Sequence, residues 1–178
     1  MVVENHGHAS GSTIQGVSIR FELEPPSSVR PCTEFTMPVI VAVNAPGIPT
    51  SELPLVLHAD LRDEDHQRIG GWPLTGVLTD SIRNWDGDAR CGYSKFERLS
   101  IEESGRYHLR VWLGVWRQDQ VTVKAYIDSD IIHVHDQADP VQRPSIYPPS
   151  TDAREFANHR GGYSGVAKCF LGYHGITR

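Results

Sequence analysis

The segment Arg106-Tyr-His-Leu-Arg-Val-Trp-Leu-Gly-Val-Trp116 decides the fold class. Tyr107, Leu109, Val111, Leu113 and Val115 fall on one face of an extended chain. Arg106, His108, Arg110, Trp112 and Trp116 fall on the other. A period of two is the mark of a half-buried strand. The connection Arg117-Gln-Asp-Gln120 is short enough for a hairpin, and further strands are expected at 120–128 and 131–135.

Upstream, Val17, Ile19, Phe21 and Leu23 alternate with Ser18, Arg20 and Glu22, a first strand that Pro25-Pro26 stops. Val39 to Val43 is apolar on both faces, as a central sandwich strand would be. Leu53 to Leu61 makes a strand before the charged turn at 62–66, and strands at 75–83 and 92–98 flank a turn at Asn84-Trp-Asp-Gly87. About eight strands at short spacing predict an antiparallel β-sandwich. Downstream of a Pro-rich connector at 140–149, Ser150 or Thr151 caps one short helix that Gly161-Gly162 ends. A final strand is expected around 166–171. Residues 1–15 are polar and read as a flexible lead-in, leaving 16–178 as one domain.

Composition bounds the function. No apolar run reaches the ~20 residues of a membrane helix, and the N-terminus lacks a basic-then-apolar signal. Three scattered cysteines without a Cys-x-x-Cys pair disfavour a disulfide scaffold or structural zinc and fit a reducing compartment. The net charge of −5 argues against general nucleic-acid coating. It is unevenly spread: residues 1–140 carry 12 basic and 20 acidic groups, residues 141–178 carry 5 and 2. His133-Val-His135 puts two imidazoles on one strand face, but no further ligand lies at a recognisable spacing, so no metal is expected. With no nucleophile elbow, phosphate loop or His-Glu-x-x-His, the chain reads as non-enzymatic, without catalytic residues or cofactor. Cys91, inside a predicted strand, reads as a small core residue. The stripe Arg106, Arg110, Trp112 and Trp116 combines residue types that protein interfaces favour, and is the expected partner surface unless loops or the helix cover it.

Several segments in order resemble the velvet domain of fungal regulators. They are Val29-Arg-Pro-Cys32, Pro38-Val-Ile-Val41, Leu74-Thr-Gly-Val-Leu-Thr-Asp-Ser-Ile82, Leu99-Ser-Ile-Glu-Glu-Ser-Gly105-Arg-Tyr-His-Leu-Arg110 and Asp130-Ile-Ile-His-Val134. Ser150 to Gly162 resembles that family's short helix. The resemblance implies an immunoglobulin/Rel-like sandwich with one short C-terminal helix. It also implies a regulator of development, sporulation and secondary metabolism in nucleus and cytoplasm, acting as a homodimer or a heterodimer with another velvet protein, and contact with double-stranded DNA.

In that family the loop before the proline segment carries several cations. Here Thr33-Glu-Phe-Thr-Met-Pro38 has none. Phosphate neutralisation supplies most non-specific affinity, so their loss weakens binding by orders of magnitude. DNA contact would then fall to Arg20, Arg30, Arg143, Arg154, Arg160 and Lys168, with Arg30 the leading candidate unless it pairs with Glu34. The rival readings are a velvet-type dimerisation or scaffold module without DNA contact, and a β-sandwich enzyme or carbohydrate binder stacking sugars on Trp72 and Trp85.

Overall fold

The computed structural model describes residues 11–12, 16–50, 54–84, 90–117 and 120–142. The strands are β1 (Gly11–Ser12), β2 (Ser18–Leu23), β3 (Ser28–Val29), β4 (Val39–Asn44), β5 (Leu55–Asp63), β6 (Leu74–Thr75), β7 (Thr79–Ser81), β8 (Arg83–Asn84), β9 (Cys91–Phe96), β10 (Ser100–Ile101), β11 (Gly105–Arg117) and β12 (Gln120–Val134). One sheet runs β1-β12-β11-β5-β7, with β3 parallel to β12. The other runs β2-β4-β9-β8, and β6 with β10 forms a separate two-stranded ribbon. Apart from β3, every paired strand is antiparallel to its neighbour. Taking β2, β4, β5, β8, β9, β11 and β12 as strands A to G gives A-B-E-D in one sheet and G-F-C in the other. That is the strand order of the immunoglobulin sandwich.

The core forms where the inner faces meet. Val39, Val41, Val43 and Phe96 enter it from one sheet, and Leu57, Ala59, Leu61, Leu109, Val111 and Leu113 from the other. The predicted face of β11 is the buried one, from Tyr107 through Val115. Each aliphatic side chain so removed from water contributes roughly 1.5–3 kcal/mol. The strand at 39–43 lies between β2 and β9, as a run apolar on both faces requires.

Three expectations change. The strand expected at 75–83 is three short pieces serving different sheets: β6 pairs with β10, β7 with β5 and β8 with β9. The first break is Gly76, at φ +113°, whose Cα lies so close to the Arg98 carbonyl that a Cβ would strike it. Glycine alone reaches that conformation readily. The strand expected at 92–98 ends at Phe96, before Arg98 turns left-handed at φ +57°. Conversely, the two strands expected at 120–128 and 131–135 are one. β12 carries an extra residue between its pairings Arg110↔Asp128 and His108↔Ile131, and another between Leu113↔Ala125 and Gly114↔Val123. A bulge shifts the inside-outside phase by one residue. Ala125 and Ile127 therefore point inward before the bulge at 129–130, and Ile132 and Val134 after it.

Cys91, expected in the core, sits half-buried at the first position of β9, its thiol donating to Asn44 Oδ1 at 3.1 Å. Within the expected lead-in, Gly11 and Ser12 pair with Ile127 and Tyr126. The turn at 84–87 lies largely, and the helix at 150–162 and strand at 166–171 wholly, outside the described residues.

Candidate functional site on the outer sheet face

The face of β11 turned away from the core carries Arg106, His108, Arg110, Trp112, Gly114 and Trp116. At ~3.3 Å per residue it extends over roughly 33 Å. The register places Asp60 and His58 of β5 beside Arg110 and Trp112, and Asp128, Tyr126, Val123 and Val121 of β12 beside Arg110, Trp112, Gly114 and Trp116. The four residues expected as an interface share this surface, but their surroundings differ sharply.

At its centre the face is a polar network, in which Arg62 Nε and His66 Nδ1 are buried without a hydrogen bond. Arg110 donates from Nε to Asp128 Oδ1 at 2.5 Å and from its terminal nitrogen to Oδ2 at 2.6 Å. Such a two-pronged match is the strongest geometry an arginine and a carboxylate can form. These bonds raise the guanidinium's already high pKa, outweighing the opposing effect of burial. Arg110 is 9% exposed and Asp128 1%. The guanidinium lies over Tyr126 at 4.1 Å and beside Trp112 at 5.2 Å, while Arg62 approaches Trp112 at 5.3 Å and binds Asp60 at 2.8 Å.

His66 closes the network from the β5–β6 connection. Its left-handed backbone, φ +61°, stacks the imidazole on His108 at 4.4 Å and sets Nδ1 2.9 Å from Asp128 Oδ2. The turn that presents it is tied by Asp63 Oδ1, which accepts the amides of Asp65 and Gln67. On the other side, His108 Nδ1 lies 2.7 Å from the Ser129 carbonyl and donates to it. Ser129 also repairs the bulge, its hydroxyl accepting the Leu109 amide at 2.9 Å and donating to the Asp130 carbonyl at 2.7 Å. Near the same bulge, burial and the Asp130 carboxylate push the Glu24 carboxyl up to about 7, against a hydrogen bond with the Asp130 backbone.

The ends of the face differ from its centre. At one, exposed Arg106 pairs with Glu64 at 2.8 Å. At the other, the hairpin holds Trp116, Val121 and Val123 at 49%, 48% and 47% exposure on one surface. Gly114 is the notch that lets this cluster form, since a Cβ there would sit 2.5 Å from the Val121 methyl. Val121 and Val123 were not singled out by sequence reasoning, because alternating valines in a strand ordinarily mean core. Asp60, Arg62, His66 and Asp128 were missed because they come together only through the sheet register.

The residues expected to meet DNA are placed differently. Arg20 pairs with Glu22 at 2.6 Å. Arg30 donates from Nε to the Ala138 carbonyl at 2.9 Å rather than pairing with Glu34, which meets Arg98 at 3.4 Å instead. The loop between β3 and β4 is further held by Gln142, whose amide accepts from Thr36 N and donates to the Glu34 carbonyl. Arg143, Arg154, Arg160 and Lys168 lie outside the described residues. His133 and His135 are exposed, and among the described residues no three His, Cys, Asp or Glu side chains are grouped to hold a metal ion. No helix among them is long and apolar enough to cross a membrane.

Compared with known proteins, the chain matches no protein-family model and no curated protein at a significant level.

Proposed function

We propose that this protein is a velvet-like regulatory module that works by binding a partner chain, its own copy or a related one, through the outer sheet face. The observation that carries this reading is the exposed cluster of Trp116, Val121 and Val123 on the β11–β12 hairpin. Large apolar side chains grouped on a surface mark interaction sites, and tryptophan is the residue type most enriched among energetic anchors of interfaces. The segment order quoted for the velvet resemblance supports a nuclear role in development and secondary metabolism.

Between the two velvet-type readings, the placement of the two described cations, Arg20 and Arg30, favours partner binding over DNA contact. Arg20 and Arg30 both have partners within the fold, and the loop that would face DNA presents Glu34. The test is sedimentation of the purified chain, alone and with a velvet-family protein, against Trp116→Ser and Val123→Thr variants. Association weakened tenfold or more supports the reading, and a monomer that captures no partner defeats it. Duplex DNA titrated over a salt series separates the alternatives. A steep loss of affinity with salt, reduced by Arg30→Glu, would restore the DNA-binding reading.

A further inference from the structure

Away from the outer sheet face, three segments distant in sequence enclose a groove of about 580 Å³. Backbone hydrogen bonds lace them together: Cys32 N to Ile101 O at 2.8 Å, Phe35 N to Leu99 O at 2.7 Å, Val77 N to Glu97 O at 3.1 Å and Glu102 N to Pro73 O at 2.9 Å. The walls hold an uncommon concentration of left-handed backbone. Of the described residues, the non-glycine ones with positive φ are Cys32, His66 and Arg98. Two of these three line the groove, together with Gly76 at +113°. Such conformations cost of order 1 kcal/mol or more each and collect at sites where geometry is fixed for a purpose.

The charge of the lining is net negative. Glu34 and Glu102 supply two carboxylates, and Arg98 the single cation. The Glu34–Arg98 contact is long, at 3.4 Å between exposed groups, and holds neither side chain firmly. The Thr75 hydroxyl donates to the Ser100 carbonyl at 3.4 Å and keeps its lone pairs as acceptors. A surface rich in acceptors and net negative repels phosphate and suits a group that only donates, as guanidinium and ammonium do. Val77, a half-exposed apolar wall, offers a track for the aliphatic stem of such a side chain. Trp72, next in chain to the Pro73 that anchors Glu102, is 86% exposed and available for a cation–π contact.

We propose that this groove binds a lysine- or arginine-bearing segment of a partner protein. It shares no residue with the outer sheet face, so it stands or falls independently of the reading above.

The test titrates the isotope-labelled full chain with the capped peptide acetyl-Gly-Arg-Gly-Arg-Gly-amide. Its citrulline counterpart, the same shape without charge, serves as the control. The expected result is movement of the Gly76, Ser100 and Glu102 amide signals with the arginine peptide, at roughly tenfold lower concentration than with the citrulline one. Glu34→Gln combined with Glu102→Gln, both at exposed positions and close in shape, should erase that preference while leaving the thermal midpoint unchanged. Arg98→Gly, which relieves the left-handed backbone and removes the groove's one cation, should tighten binding a few-fold. Equal response to both peptides, no response up to about 10 mM, or indifference to the double Gln change would each overturn the proposal. So would movement of the same signals by inorganic phosphate.

Discussion

The centre of the outer sheet face and its hairpin tip share the strand pair β11–β12, yet they solve opposite problems. At the centre, Arg110, Asp128, His66, His108 and Ser129 turn a solvent-side surface into a second, polar interior. At the tip, Trp116, Val121 and Val123 put core-type side chains into water. A polar network has most of its bonding satisfied from within and fixes position. An apolar cluster left open gains free energy only when something covers it. A closed surface and an open one are thus separated along a single strand pair.

The sharpest way to break that comparison is to disturb the inner face that supports both regions. Val111→Asp puts an unpaired charge into the fully buried core and should destabilise the fold by more than about 4 kcal/mol. A chemical-denaturation midpoint close to that of the unaltered protein would show the register of β11 to be wrong. Asp128→Ala comes next. It strands the Arg110 guanidinium and should cost about 3–5 kcal/mol. Replacing both partners by Leu and Met should recover most of this loss, because a buried pair exchanged for well-packed apolar residues is often neutral.

A smaller effect is expected at Glu24, beside the bulge. Its carboxyl titrates near 7 in the fold against about 4.5 unfolded. The folded state therefore favours the neutral acid: the contribution is fully present below about pH 4.5 and is lost as pH rises through 7. Glu24→Gln should leave stability unchanged at pH 4 and raise it by about 1–2 kcal/mol at pH 8. This is less than the full shift implies, because water reaches part of the side chain. Thermal melts at the two pH values decide the sign. The smallest change in stability belongs to the tip. Trp116→Ser should move the unfolding free energy by no more than about 0.5 kcal/mol while weakening self- or partner association at least tenfold. If it destabilises the monomer as strongly as Asp128→Ala, the tip belongs to the core and the contrast between the two regions fails.

Much of the architecture was legible in local pattern. The period of two in β11 names its buried face, the two-sided apolar run at 39–43 names a central strand, and Pro25-Pro26 marks the end of β2. What was not legible depends on contacts distant in sequence. Nothing near Gly76 announces that the chain changes partners there, because the cause is the Arg98 backbone brought alongside. The bulge at 129–130 made one strand look like two, since a phase shift within a strand and a turn between strands leave the same mark on hydrophobic alternation. The surroundings of the residues expected as a partner surface were only half legible. Arg110 and Trp116 share a face in any extended chain, but only the Asp128 and Tyr126 of the neighbouring strand decide that one is buried and the other open.

The bulge also has a dynamic side. In most of the β11–β12 ladder an amide is held by a carbonyl fixed in the backbone, whereas the Leu109 amide is held by the hydroxyl of Ser129. A hydroxyl leaves its bond by a rotation about one side-chain torsion, on a timescale far shorter than strand separation requires. Leu109 sits in the fully buried centre of the sheet, so its amide proton should exchange with solvent sooner than those of Val111 and Leu113. Hydrogen exchange at this one position should then report local breathing of the sheet, beside amides at Val111 and Leu113 expected to wait for a larger opening.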